Sequence, residues 1–345
     1  GKKGFILVSH DRDLLDACID HILVLNRQSI EVQSGNFSSW EENKRRRDAS
    51  AEKENEKHKK EIVKLEKAAR QAKGWSDQTE KSKIGQKTAG LKPDRGYIGH
   101  KAAKMMKRSK TLEHRKEDAI REKEGLLKDV ETLAELKMQP LVHHKEVLLE
   151  ADNLGLRYPE SDTWLFQNLK MELRKGERVF LHGANGCGKS TLIKAVLKTA
   201  GYGKGAADHF WNLQEQGRLT LASGLVISYV SQDTSYLNGS IRKFCEERGL
   251  EESLFCAILR QMGVEREQFT KELQEYSEGQ KKKIQIAESL LTPAHLYLWD
   301  EPLNYVDVFT RMQIEEVLLR YKPTMLIVEH DARFRERIAT KIVEL

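Results

Sequence analysis

Hydrophobic positions along this chain fall into three regimes. Beyond Pro140, apolar runs of strand length recur: VLLEADNLGLRYP, RVFLH, ISYVSQD, HLYLWDEP and MLIVEH, with the helical stretches TLIKAVLK and, inside a helical region from Ser240 to Leu291, KKKIQIAESLL. They predict a compact α/β domain over 140–345. The first forty residues carry the same grammar in miniature: a strand FILVSHD, an amphipathic stretch, a strand HILVLN, and IEVQSGNFSSW as a hairpin turning at Ser34-Gly35-Asn36. Between them, 41–73 and 100–138 are dominated by charge and broken by no proline, as long exposed helices are. Met105, Leu112, Ala119, Leu126 and Leu133 recur every seven residues, and Ile62, Val63, Leu65, Ala68 and Ala69 supply a facing stripe, so 41–139 is expected to fold back as an antiparallel helical hairpin.

The two ends repeat one another. MLIVEHDARFRERIATKIVEL aligns without a gap on FILVSHDRDLLDACIDHILVL, pairing Val8, His10, Asp11, Ile22 and Leu25 with Val328, His330, Asp331, Ile342 and Leu345 at a constant offset of 320. Residues 1–40 are therefore expected to be the last part of a first copy of the domain that 140–345 holds nearly whole, in a longer tandem protein.

The chemistry centres on Gly183-Ala-Asn-Gly-Cys-Gly-Lys-Ser, which satisfies GxxxxGK[ST] between a strand and a helix. Glycines let successive N–H groups turn toward phosphate oxygens, Lys189 reaches the β- and γ-phosphates, Ser190 offers its hydroxyl to Mg2+, and the helix opening near Thr191 aims its positive end at the anion. Tyr158 ends a strand 25 residues before Gly183, placed either to stack on adenine or simply to pack. Gln232 ends ISYVSQD, where its amide can reach a metal or a water. Tyr276-Ser277-Glu278-Gly279-Gln280 heads a helix, a second place to hold a phosphate. Asp300 and Glu301 close an apolar strand, the first suited to Mg2+ and the second to orienting or deprotonating the attacking water. His330 ends the next strand, within reach of a γ-phosphate.

Charge adds a separate partner. From Arg70 to Lys116 there are 14 Lys and Arg against 4 Asp and Glu, a net of +10, whereas the chain of 345 residues carries +6. Glycines at 74, 85, 90, 96 and 99 make this tip loop-like, and Trp75 and Tyr97 interleave with Lys83, Lys87, Lys92, Arg95, Lys101, Lys104, Lys107 and Arg108. That combination is an electrostatic footprint for nucleic acid; the plainer reading is a solvated arm. No run is long and apolar enough for a transmembrane helix or a secretory leader, and Cys18, Cys187, Cys245 and Cys256 have neither paired nor metal-ligand spacing, so a cytoplasmic setting is expected.

Taken in order, the phosphate loop, Gln232, YSEGQ, LYLWDEP, LNYVD and His330 resemble the nucleotide-binding domain of ATP-binding cassette (ABC) proteins across about 147–345. The resemblance implies a P-loop ABC fold with ATP and Mg2+ as cofactors. By it, Tyr158, Gly183, Asn185, Gly186, Cys187, Gly188, Lys189, Ser190 and Thr191 bind ATP; Ser190, Gln232 and Asp300 surround Mg2+; Glu301 is the catalytic base, assisted by Gln232 and the switch His330. Ser277, Glu278, Gly279 and Gln280 form the signature that acts on ATP held by a second cassette. Glu278 departs from the family's usual Gly, and Tyr276 from its common Leu. Two cassettes joined by a basic helical hairpin resemble the ABC-F branch, most closely its bacterial members that protect ribosomes from lincosamides, streptogramin A and pleuromutilins. Their partners would be rRNA and P-site tRNA near the exit-tRNA site, with the hairpin directed at the peptidyl-transferase centre. A housekeeping translation factor of the same build, and a transporter ATPase subunit, are the alternatives. With its partner cassette incomplete, this chain is expected to hydrolyse ATP weakly.

Overall fold

A computed structural model of the chain describes residues 4–9, 11–25, 30–81, 136–202 and 213–345. They divide into two compact units, one of residues 1–18 with 133–345 and the other of 19–132.

The larger unit is built on a five-stranded parallel sheet. Its strands are β5 (Arg178–His182), β7 (Ile227–Val230), β8 (Leu296–Asp300), β9 (Met325–Val328) and β10 (Lys341–Glu344), in the order β10-β5-β9-β8-β7. Parallel strands covered on both faces must be apolar throughout, and β8 and β9 are buried at every position. Alternate residues serve two cores. Phe180, Tyr297, Trp299, Met325 and Ile327 face a helical layer. Val179, Leu181, Leu296, Leu298, Leu326 and Val328 face the other side, where a three-stranded antiparallel sheet completes the sandwich. That second sheet has the order β4-β3-β6, from β3 (Val147–Arg157), β4 (Phe166–Arg174) and β6 (Gln214–Leu221).

The helices of this unit are α1 (Arg12–Cys18), α3 (Lys189–Thr199), α4 (Ile241–Arg248), α5 (Glu252–Gln261), α6 (Glu278–Leu291), α7 (Val308–Tyr321) and α8 (Ala332–Ile338). Several starts are set by side-chain caps: Ser240, Ser277, Asp307 and Asp331 each accept an N–H of the first turn.

The smaller unit holds an antiparallel pair, β1 (His21–Leu25) with β2 (Ile30–Ser34), and one long helix, α2 (Phe37–Lys81). Three expectations change here. Ser34-Gly35-Asn36 is not a hairpin turn: Asn36 Oδ1 accepts the Ser39 N–H (3.1 Å) and opens α2, whose Phe37 and Trp40 rings meet at a tilt of 43° with centroids 5.4 Å apart. The hairpin is formed instead by β1 and β2, with His21 opposite Ser34. Helix α2 continues through Gly74 and Trp75, so this part of the basic tip is helical rather than loop-like; about 1 kcal/mol for one helical glycine is a small cost over 45 residues.

FILVSHD forms no strand among the described residues, and Phe5, Ile6 and Val8 are exposed. Its repeat counterpart β9 is a strand because β5 and β8 flank it on both sides, and a lone apolar segment has no such ladder. Val63 is exposed on α2, whereas the side chains of Ile62, Leu65, Ala68, Ala69 and Trp75, and the whole of 82–135 with Lys83, Lys87, Lys92, Arg95, Tyr97, Lys101, Lys104, Lys107 and Arg108, lie outside the described residues.

Candidate nucleotide site at the carboxyl ends of the parallel strands

The loop 183–188 leaves β5 and enters α3 without a break. Gly183, Gly186 and Gly188 take positive φ (152°, 81° and 105°), a region that L side chains rarely adopt. A Cβ at Gly183 would come within 2.7 Å of the Leu345 carbonyl oxygen, so the backbone can curl only as glycine. Asn185 and Gly186 are exposed on the crest of the loop and Cys187 is half-buried. Lys189 is buried, and its Nζ donates to the Gly183 and Ala184 carbonyls (2.9 and 2.8 Å), which suspends the ammonium inside the curl. Thr191, in the first turn of α3, shares a hydrogen bond with the Tyr158 hydroxyl (3.1 Å), so the aromatic expected near the base lies beside the phosphate loop.

The acidic partners come from β8. Ser190 Oγ donates to Asp300 Oδ1 (3.0 Å), uniting the hydroxyl and carboxylate expected to hold Mg2+. Burial pushes the Asp300 carboxyl up to about 6, a rise that the Ser190 hydrogen bond opposes and the neighbouring Glu301 reinforces. A divalent cation at this oxygen pair would favour the ionised form, so the donor set fits a hard metal. Glu301 begins the turn that follows with φ of 49°, held there by its N–H on the Val328 carbonyl (2.9 Å). Its carboxylate is gripped from three sides. Gln232 Nε2 and Asn304 Nδ2 donate to Oε2 (2.8 and 2.7 Å), and His330 Nε2 stands 3.5 Å from Oε1. Gln232 is thus brought to Glu301, and the three residues expected to act on the attacking water meet at one carboxylate. They come from the ends of three adjacent parallel strands, β7, β8 and β9, which is where open α/β sheets place their ligands.

Residues 166–304 match the family described as ABC transporter. The chain carries an ABC-type nucleotide-binding domain. Beyond that domain it is similar to the Ribosome protection protein VmlR of Bacillus subtilis, 26% identical over 96% of this chain and 58% of that protein. It is also similar to the Putative ATP-binding protein YdiF of Bacillus subtilis (26%, covering 100% of this chain and 48% of that protein). The Probable ATP-binding protein YheS of Escherichia coli K12 matches at 26%, over 94% of this chain and 45% of that protein. The chain spans about half the length of the curated relatives it matches. Among its described residues, no helix is long and apolar enough to cross a membrane.

The stretch expected to be the signature, 277–280, heads α6 as a capping box: Ser277 Oγ accepts the Gln280 N–H (3.3 Å) and Gln280 Oε1 accepts the Ser277 N–H (3.1 Å). Glu278, which stands where the resembled family usually has Gly, is held by two side-chain donors. Its Oε2 accepts from the Thr234 hydroxyl (2.6 Å) and its Oε1 from Lys281 Nζ (2.9 Å), and these two donors hold its carboxyl below the usual carboxylate range. Tyr276 is a core residue, with its hydroxyl donating to the Gln268 carbonyl (2.7 Å).

Gly279 is required for a different reason: a Cβ there would stand 2.5 Å from the Tyr305 carbonyl oxygen, in a turn where Tyr305 itself has φ of 61°. Gly279→Ala is accordingly expected to displace the 303–306 turn and to lower stability by roughly 1–3 kcal/mol, measured by urea unfolding. A change of a few tenths would show that the turn yields freely.

Three residues at the site escape sequence reasoning. Lys282 sits in a KKK run that reads as a solvated face, yet it is buried, with its Nζ donating to the Ser231 carbonyl (2.6 Å). Burial lowers its ammonium pKa, against the attraction of Asp300, Glu301 and Glu329. The available signal is spacing, since Lys282, Gln285, Ile286, Ser289 and Leu290 form one buried helical stripe. Glu329 is buried and accepts the N–H groups of Leu303 (3.0 Å), His330 (2.7 Å) and Asp331 (3.3 Å), tying the turn after β8 to the turn that carries His330. Asn304 is the third, as the partner of Glu301.

Proposed function

We propose that this chain is the later part of an ABC-F protein that binds ATP, engages the ribosome and directs its linker toward the peptidyl-transferase centre to protect translation from antibiotics. The observation that carries the reading is the extent of the similarity to the ribosome protection protein, which runs over 96% of the chain and so continues well outside the 166–304 match. On this reading 1–40 closes a first cassette, 41–139 is a basic helical hairpin, and 140–345 is the second cassette, working in the cytoplasm. Trp75, Tyr97 and the linker lysines and arginines meet rRNA and P-site tRNA. A housekeeping translation factor with no antibiotic role is the second reading, favoured by the equal similarity to YdiF and YheS, whose names state only ATP binding.

The proposed work at the site divides as follows. Lys189 and the loop amides bind the phosphates, and Tyr158 lies against the base. Ser190, Asp300 and Gln232 would hold Mg2+, which supplies charge neutralisation at the phosphates. Glu301 takes the proton of the attacking water, and Gln232, Asn304 and His330 orient it. Ser277, Gly279 and Gln280 serve the ATP of the other cassette, so turnover by this chain alone is expected to be slow.

Co-sedimentation with bacterial ribosomes tests the reading. A Glu301→Gln protein carrying both cassettes is expected to sediment in ATP and not in ADP, and to do so through moderate salt. Neutralising Lys101, Lys104, Lys107 and Arg108 should flatten the salt dependence and weaken binding at least tenfold. Sedimentation indifferent to nucleotide and abolished by salt would reduce the linker to a polycation and overturn the reading. Growth in the presence of each drug class then separates the protection factor from the housekeeping one.

A further inference from the structure

Two helices at equivalent places in the repeat meet in this structure. Helix α1 follows Asp11 as α8 follows Asp331, at the offset of 320, and each aspartate caps its own helix: Asp11 Oδ1 accepts the Leu14 N–H (3.0 Å) and Asp331 Oδ1 the Phe334 N–H (2.9 Å). Arg333 pairs with Asp13 and Asp16 of α1. Residues 333 and 13 are counterparts, and a residue meeting its own counterpart is what a two-fold arrangement of like elements produces.

The symmetry is broken at one point. Arg12 is 4% exposed, and its Nη2 reaches Glu315 Oε1 (2.7 Å), which is 0% exposed, and Asp331 Oδ1 (3.2 Å). The socket is completed from behind, with Glu315 Oε2 held by Arg337 (2.7 Å) and Asp331 Oδ2 by Arg311 (3.0 Å). Arg12 has Ala332 as its counterpart, so the equivalent position of α8 holds no guanidinium to offer the same socket on another copy.

We propose that the α7–α8 face is a pairing site for the post-strand helix of the preceding repeat, and that Arg12, present in one repeat only, makes pairing of unlike repeats prevail over pairing of two copies of the later one. Every contact is between protein groups, so the joint holds with or without nucleotide. It lies directly behind the turn carrying His330, since Asp331 is both socket and helix cap. A second copy offering Ala332 would leave Glu315 Oε1 and Asp331 Oδ1 without the Arg12 guanidinium, with only Arg337 and Arg311 facing the two carboxylates in a buried place, which disfavours that pairing. Assigning α1 to a first cassette rests on the function proposed above; the socket itself does not.

Amide exchange on the full chain tests the joint without ATP or ribosomes, so its failure is separable from failure of the functional reading. Arg333→Asp is expected to speed exchange of residues 11–18 at least tenfold, and the added reversals Asp13→Arg and Asp16→Arg to restore protection. Unchanged exchange in Arg333→Asp, or no recovery in a triple variant whose near-ultraviolet circular dichroism is native, would overturn the pairing site. Arg12→Ala tests selectivity by sedimentation velocity. The variant is expected to release 11–18 yet stay monomeric as concentration rises. A concentration-dependent dimer that newly protects 311–337 would overturn it.

Discussion

Glu301→Gln is expected to slow ATP hydrolysis at this site by 10²–10⁴-fold, about 3–5 kcal/mol in the barrier, while leaving nucleotide binding intact. The amide keeps the shape of the carboxylate. Its Oε1 can still accept from Gln232 and Asn304, which both donate to one oxygen of Glu301, so the turn and its positive φ are preserved. What is lost is the negative charge, and with it the acceptance of a proton from water proposed for Glu301. Single-turnover hydrolysis, beside equilibrium binding of labelled ATP, measures the two effects separately. Retention of hydrolysis within tenfold would move the base elsewhere, and a parallel loss of binding would make Glu301 a structural residue of the turn.

Asp300→Asn is expected to stabilise the metal-free fold by about 3 kcal/mol above pH 6 and to abolish metal-dependent hydrolysis. The folded-state pKa of about 6 exceeds the ordinary 3.8 by about two units, each equivalent to 1.36 kcal/mol. A carboxyl with a raised folded pKa binds more protons folded than unfolded between about pH 4 and 6. Stability therefore falls as pH rises through that window and stays lower above it. Asparagine has no such transition and can still accept the Ser190 hydroxyl hydrogen bond at its carbonyl oxygen. Urea unfolding in chelator is expected to show a difference between variant and native chain near zero below pH 4 and about 3 kcal/mol above pH 6. A pH-independent difference would mean that Lys194 and Lys282, which favour the ionised form, already compensate the burial. The cost falls on a residue positioned for function, as strained or desolvated sites commonly show.

Much of this site is legible in the linear sequence because its parts are local. The curl at 183–188 is specified by glycines and by the strand and helix on either side. The order of apolar runs ending in Gln232, Asp300-Glu301 and His330 is visible as hydrophobic periodicity, with polar residues just beyond each strand. The capping box of Ser277 and Gln280 is a contact between residues three apart. Composition and local spacing suffice wherever the interacting groups lie within a turn or two of one another.

Tertiary structure decided what depends on neighbours far along the chain. Apolar character alone does not make FILVSHD a strand, because a strand exists through the ladders beside it, and β9 has two. Lys282 is buried among acids although its run looks like a solvated face; which side of α6 meets the sheet is set by packing. Gln232 grips Glu301 across 69 residues, and Arg12 enters its socket across 303. The sequence by itself determined the α/β domain, the phosphate loop and the strand ends that carry the chemistry, since these are encoded in periods of two to four residues. The convergence of Gln232, Asn304 and His330 on one carboxylate, and the meeting of repeat-related helices around a buried arginine, were decided only by the fold, because long-range pairing leaves no periodic trace.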